Sequence, residues 1–169
     1  MAVLACLSGG SHALAADQPL RLKFEPRLNE ANALITEGRP IYGSGEAMQG
    51  RTERETTLQG EAEMRRAGTV VRGDRLTYYT ADDEVVAVGN VRIVRSGNSF
   101  SGPELQLKVD ANQGYFRSPD YYLSLYRGRG RAERVDFLGP ERLSLTRSTY
   151  TTCSATDPDW YLKATRIDI

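Results

Sequence analysis

Residues that could do chemistry are few in this sequence. It contains one histidine, His12, and two cysteines, Cys6 and Cys153. His12 and Cys6 both lie in residues 1–16, a stretch typical of a signal peptide. Loss of that stretch would leave no histidine, which excludes Ser-His-Asp and Cys-His catalysis, His-ligated zinc and a histidine general base. Any catalysis would have to use paired carboxylates.

Four carboxylates are candidates for such a pair, namely Asp74, Asp82, Asp83 and Asp110. A glycosidase needs two carboxyl groups about 5–10 Å apart that flank the sugar. Asp82 and Asp83 belong to a segment whose composition favours a turn, and neighbours on one turn rarely face a shared cleft. We therefore expect solvated turn acids, and keep a carbohydrate-active β-repeat enzyme as an alternative.

Residues 1–16 are small and apolar, and Ala13-Leu14-Ala15 precedes Asp17. This pattern predicts a signal peptide with its cleavage site, truncated because no lysine or arginine precedes Arg21. The exported part, residues 17–169, has a length that suits one domain.

The net charge argues against nucleic acid as a partner. Lysine plus arginine and aspartate plus glutamate number 22 each, so there is no electrostatic case for binding nucleic acid. No uninterrupted apolar run approaches the roughly 20 residues of a membrane-spanning helix.

A tandem repeat must position any site. Residues 58–86 and 87–115 align without a gap, so that each position recurs 29 residues later. Glycines recur at turn positions, and alternating apolar residues between them predict strands. Each copy is therefore predicted to be a strand-turn-strand module. The matched pairs are Gly60 and Gly89, Arg66 and Arg95, Gly68 and Gly97, Gly73 and Gly102, and Leu76 and Leu105.

The array is predicted to extend both ways. Upstream, a one-residue deletion places Met48 under Leu76 as part of a half-copy. Downstream, the sequence from Gly139 echoes that from Gly102, after an insertion. Units of this kind stack and share one core. We therefore expect an all-β domain of three to four units.

Alternation within the strands predicts an inward face. These residues either form a closed core or line an open groove that contacts lipid, and the sequence does not separate the two. The inward residues are Ala62, Met64, Val71, Leu76, Tyr78, Val86, Val88, Val91, Ile93, Phe100, Leu105, Leu107 and Val109.

Two features follow the second copy. Tyrosines and arginines between Tyr121 and Arg134 could hold phosphate or stack on a sugar, although a solvated loop is the simpler interpretation.

Cys153 would be unpaired in an exported chain, which suggests a partner outside this sequence. A buried free thiol is the alternative.

Two stretches resemble a known family. Gly89-Asn90-Val91-Arg92-Ile93, inside a tandem β repeat, resembles the OstA-like module of lipopolysaccharide (LPS) transport proteins. Tyr150-Thr151-Thr152-Cys153, followed by Asp157-Pro158-Asp159-Trp160-Tyr161-Leu162, is similar to the end of the periplasmic domain of the LPS-assembly outer-membrane protein family LptD.

This resemblance implies an OstA-like V-shaped β-jelly roll without cofactor, metal or catalytic residues. Its groove would receive the acyl chains of lipid A from a periplasmic bridge protein, which pairs with an edge strand. It would pass them to a C-terminal outer-membrane barrel, which is missing here and carries a plug lipoprotein. Cys153 would pair with a cysteine of the barrel region. The soluble bridge protein of the same pathway remains an alternative.

Overall fold

The computed structural model describes residues 40–51, 54–66, 68–154 and 158–169. The predicted signal peptide, with Cys6 and His12, lies outside them. The described residues form twelve strands and no helix, which confirms the all-β prediction. The strands are β1 Tyr42–Ser44, β2 Ala47–Arg51, β3 Glu55–Arg66, β4 Thr69–Tyr79, β5 Glu84–Arg95, β6 Asn98–Lys108, β7 Gln113–Arg117, β8 Asp120–Leu123, β9 Gly128–Arg131, β10 Arg134–Gly139, β11 Arg142–Tyr150 and β12 Leu162–Asp168.

The two sequence copies form two long hairpins, β3–β4 and β5–β6, which confirms the strand-turn-strand module. Arg95 pairs with Asn98, so only Ser96 and Gly97 make the second turn. Both have positive φ, 49° and 79°, as a type I′ hairpin turn requires. Gly68, with φ of 75°, takes the equivalent place in the first turn. The recurring glycine is thus explained by the turn.

All neighbours in the sheet are antiparallel, in the order β1-β3-β4-β5-β6-β7-β10-β11-β12. Strand β2 also pairs with β3, and β8 joins β6 to β9. Met48 pairs with Leu58 in the same way that Leu76 pairs with Ala87. The upstream half-copy is therefore a structural repeat, in which β1 and β2 together take the place of β4.

A third unit consists of β7 and β8 paired with β10 and β9. Leu123 pairs with Gly128, so the turn holds residues 124–127 instead of two residues. The predicted echo between Gly102 and Gly139 is wrong as a structural repeat. Gly102 lies within β6, whereas Gly139 ends β10 beside the turn to β11.

Each long strand bends near its middle. Gly89 and Asn90 of β5, with φ of 78° and 45°, lie together opposite the single residue Pro103 of β6 in a β-bulge. Gly60 and Glu61 repeat this geometry in β3, with φ of 72° and 42°. We call the row of these positions across the sheet the bend line.

The bend line divides the sheet into two layers that face each other as a V-shaped roll. The first layer holds β2, β7, β10 and residues 55–59, 75–79, 84–88 and 104–108. The second holds β1, β8, β9 and residues 62–66, 69–72, 91–95 and 98–101. The Phe100 ring in the second layer lies 5.3 Å from the Phe137 ring and 6.5 Å from the Phe116 ring of the first, measured between centroids. The apolar core fills the space between the layers.

The prediction of an inward-facing side chain is wrong for two residues. Val88 is 50% exposed and Val86 is only half-buried, whereas Val85 and Ala87 are fully buried. The prediction treated Gly89 as the end of a strand, but β5 continues through the bulge. Because Val85 and Ala87 pair with Leu107 and Leu105, they share the inward face with them. The other eleven predicted residues are buried, and their contact with lipid stays a prediction.

Valine-to-alanine substitutions at two positions of β5 test which side chains of this strand face inward. Val85→Ala should lower the free energy of unfolding by about 2 kcal/mol, since it removes buried methyl groups. Val88→Ala is the matched control and should change it by less than about 0.5 kcal/mol. Equal losses in urea unfolding would contradict the assigned face.

Candidate functional site

The interior opens at the third unit. A cavity of about 580 Å³ lies there between the layers, within the size range of ligand pockets. Among its polar lining residues are Arg95, Asn98 and Glu141. Its apolar lining includes Ile93, Phe100, Leu123, Leu125, Phe137, Pro140, Leu143 and Ile169, with Tyr126 beside them.

Of the predicted inward residues, only Ile93 and Phe100 line this cavity. Residues such as Leu105 and Leu107 are fully buried and form closed core. Sequence reasoning missed Leu123, Phe137 and Leu143. Alternation in Tyr121-Tyr122-Leu123 and Val135-Asp136-Phe137 was the signal that could have found the first two.

Arg66 closes the mouth of the V at the first unit. It ends β3 in the second layer, and its guanidinium binds Asp83 and Asp110 in turns of the first layer, each at 2.6 Å. The side chain of Arg66 is only 12% exposed. This contact therefore joins the two layers directly.

Tyr78 completes this network. Its hydroxyl accepts a hydrogen bond from Arg66 Nη1 and donates one to Asp83 Oδ1, both at 2.7 Å. Burial and the bond to the Asp83 carboxylate raise the pKa of Tyr78 to about 12. The expectation of solvated turn acids is wrong for Asp83 and Asp110, which are part-buried ion-pair partners.

Arg95 repeats the closure at the second unit. Its Nη1 donates to the carbonyl of Val109 at 3.1 Å and to Asn112 Oδ1 at 3.0 Å. Asn112 Nδ2 donates in turn to the carbonyl of Gly139 at 2.6 Å. Burial lowers the pKa of Arg95. The recurrence of arginine in both copies was the sequence signal for this contact.

The four candidate carboxylates do not form a free acid/base pair. Asp83 and Asp110 share Arg66, Asp82 is exposed on a turn, and Asp74 accepts hydrogen bonds from Asn90 at 3.0 and 3.2 Å. Within the described ranges, no group of histidine, cysteine, aspartate or glutamate could hold a metal ion. The geometry gives the carbohydrate-active alternative no support.

The segment from Tyr121 to Arg134 is mainly strand, so its interpretation as a loop is wrong. Arg129 and Arg131 on β9, with Tyr122 on β8, face an open cleft on the outside of the second layer. Arg131 pairs with Asp120 at 2.6 Å, and the Arg129 guanidinium lies 5.8 Å from the centroid of the Tyr122 ring. These partners hold the arginines on the outer surface.

Cys153 is a half-buried free thiol among the described residues. Its backbone N–H donates to Thr151 Oγ1 at 3.1 Å.

The described part of the chain contains no apolar helix of membrane-spanning length.

The bent sheet of repeated hairpins, with an apolar interior open at one unit, defines an OstA-like β-jelly roll. A solved structure described as LptH, the LptA homologous periplasmic component of the lipopolysaccharide transport device from Pseudomonas aeruginosa, shares this fold. The two align with a TM-score of 0.59 and 13% identity, over 76% of this chain and 96% of that one.

Sequence comparison defines the family more narrowly. Residues 15–84 match the family model described as LptA/(LptD N-terminal domain) LPS transport protein. LPS-assembly protein LptD of Cupriavidus metallidurans is 49% identical over 77% of this chain. LPS-assembly protein LptD of Acidovorax sp. is 39% identical over the whole chain. The chain belongs to the family of the LptD N-terminal domain, and it spans 16% and 21% of the length of these two relatives.

The Tyr78 network predicts a pH dependence of stability. The folded pKa of about 12 exceeds the value near 10 of an unfolded tyrosine. The contribution of Tyr78 is therefore complete below about pH 10 and is lost as the pH rises towards 12. At pH 8, Tyr78→Phe should cost about 1 kcal/mol, and the gap to wild type should narrow above pH 10.

Urea unfolding between pH 8 and 12 measures this difference. Tyr79→Phe is the control for loss of a neighbouring tyrosine hydroxyl outside the network. A gap between wild type and Tyr78→Phe that stays constant across the range would contradict the assignment.

Proposed function

We propose that this chain is the periplasmic domain of an LPS-assembly outer-membrane protein, and that its interior holds acyl chains of lipid A during transport. The observation that carries the proposal is the apolar cavity between the layers at the third unit. Membership of the LptD N-terminal domain family supports the class of ligand. The role is that of a binding conduit without a chemical step.

The physical chemistry of the cavity suits this role. Burying a methylene contributes about 0.8 kcal/mol, so ten methylenes of one acyl chain would contribute roughly 8 kcal/mol before entropic costs. The side chains of Phe100, Leu123 and Phe137 supply apolar surface for such a chain. Binding therefore needs neither a cofactor nor a covalent intermediate.

The edges of the sheet suit pairing with similar modules. Among the residues that the structure describes, strands β1 and β2 pair only with β3, and β12 pairs only with β11. Tyr42 and Met48 at the first edge are 66% and 72% exposed. An incoming strand of the bridge protein would satisfy the free backbone groups of an edge and continue the sheet. We infer that the bridge protein delivers LPS in this way.

Beyond this domain, we infer a C-terminal outer-membrane barrel with its plug lipoprotein, which receives the lipid. The curated relatives that match are several times longer than this chain, which supports such a continuation. Cys153 would form a disulfide with a cysteine of that region.

The soluble bridge protein of the same pathway is the second candidate. The fold alone permits it, because the structural neighbour is an LptA homologue. Identity of 39–49% to LPS-assembly proteins favours the first candidate. The mass of the native gene product decides, since a bridge protein would end near this length.

Site-specific photocrosslinking in cells that export LPS tests the proposed function. A photoreactive phenylalanine analogue at Phe100, which lines the cavity, should crosslink to LPS. The same analogue at Tyr122, on the outer face of the neighbouring strand, is the matched aromatic control and should give little product. A folded, functional protein with no crosslink at Phe100 would overturn the proposal.

The disulfide is tested in the full-length protein. Cys153→Ser should abolish one redox-dependent change in electrophoretic mobility, because the loop closed by that bond no longer forms. Ser154→Ala, at the next residue, should leave the mobility change intact. Identical mobility of wild type and Cys153→Ser on a non-reducing gel would exclude the bond.

A further inference from the structure

The mouth of the V is closed differently in the three units. In the first two, an arginine at the end of the incoming strand reaches across to a turn of the first layer. These are Arg66, which binds Asp83, and Arg95, which binds Asn112. Asp83 and Asn112 both have positive φ, 50° and 49°. The contact is therefore a property of the repeat unit.

The third unit has no such arginine. Leu123 takes the position of Arg95, because it is paired with Gly128 just before the β8–β9 turn, as Arg95 is paired with Asn98 just before the β5–β6 turn. The repeat places Glu141 at the position of Asn112. Ser124 is bonded within its own layer, since its N–H donates to Asn98 Oδ1 at 2.9 Å and its hydroxyl contacts the Ser96 carbonyl at 3.2 Å. No hydrogen bond or ion pair crosses between residues 124–127 and residues 139–142, all of which are described.

The open cavity lies at this position. Ser124 and Glu141 both line it, together with the apolar residues Leu123, Phe137 and Leu143. The leucine side chain at this position has no polar group that could bind a turn of the first layer, as Arg66 and Arg95 do in the other units. The opening thus coincides with the unit in which both partners of the repeated contact differ.

We propose that Arg66 and Arg95 are latches that hold the first two units shut, and that the third unit is the portal through which an acyl chain enters while the latches are closed. This inference rests on the proposed function and adds the place of entry and its control. Passage of a lipid through the first two units requires the arginine contacts to open.

The proposal predicts a crosslinking pattern along the interior. A photoreactive diazirine side chain at Leu143, in the portal, should crosslink to LPS in export-active cells carrying the full-length protein. The same side chain at Leu76, which is buried in the latched first unit, should give roughly fivefold less product.

Removing a latch should change that pattern. Arg66→Gln should raise the yield at Leu76 roughly fivefold, because two part-buried ion pairs are lost. Arg65→Gln, at the exposed neighbouring arginine that pairs with Glu63, should leave it unchanged. Asp110→Asn removes only one of the two ion pairs and should give a smaller rise, which provides a test if Arg66→Gln proves unstable.

Adding a latch should close the portal. Ser124→Arg adds an arginine at the first turn residue after Leu123, in the cavity that Ser124 and Glu141 both line, and should lower the yield at Leu143 severalfold. Ser124→Asp, which would be repelled by Glu141, is the control and should keep the portal open. Protease resistance of each variant establishes that it is folded.

The outcomes separate the two proposals. Absence of LPS crosslinks at Leu143 in the folded wild type and in every variant would overturn the proposed function. Equal yields at Leu76 and Leu143 in the wild type, or no response to Arg66→Gln, Asp110→Asn and Ser124→Arg, would overturn the latches while leaving lipid binding in place.

Discussion

The structure depends on the bend that crosses every long strand. Adjacent residues with positive φ, Gly60 with Glu61 and Gly89 with Asn90, insert one extra residue into a continuous ladder and turn it. Glycine adopts such φ values without steric cost. A side chain on Gly89 would also clash with the carboxylate of Asp74. Without the bend, the sheet would have one apolar face exposed to water and no core.

Folding the sheet over this line creates both the stability and the site. Where the layers meet closely, residues such as Val91 and Leu105 are almost fully buried and act as ordinary core. At the third unit a cavity remains beside the contact between the Phe100 and Phe137 rings, and both rings line it. The same apolar face therefore forms closed core where the layers are close together and lines a cavity at the third unit.

The repeated arginine contact holds the two layers together in the first two units. The same register positions carry Arg66 and Arg95, and both arginines tie the layers together. In the third unit Leu123 holds that register position, and a leucine cannot form the tie. Leu123 is instead buried in the apolar core. A binding space can thus arise where one unit of an array lacks the contact that the other units share.

The sequence by itself determined the repeat, the strand-turn-strand unit and the hairpin turns. These are local properties, since glycine at Gly68 and Gly97 supplies the φ that the turns need and alternation marks a half-buried strand. It also placed Ile93 and Phe100 on the inward face. Only the tertiary structure decided that Val85, and not Val88, faces inward. That choice depends on cross-strand pairing through a bulge, which alternation along one strand does not reveal. The partners of Arg66 were likewise beyond the sequence, because Asp110 lies 44 residues away and meets it only when the sheet folds over.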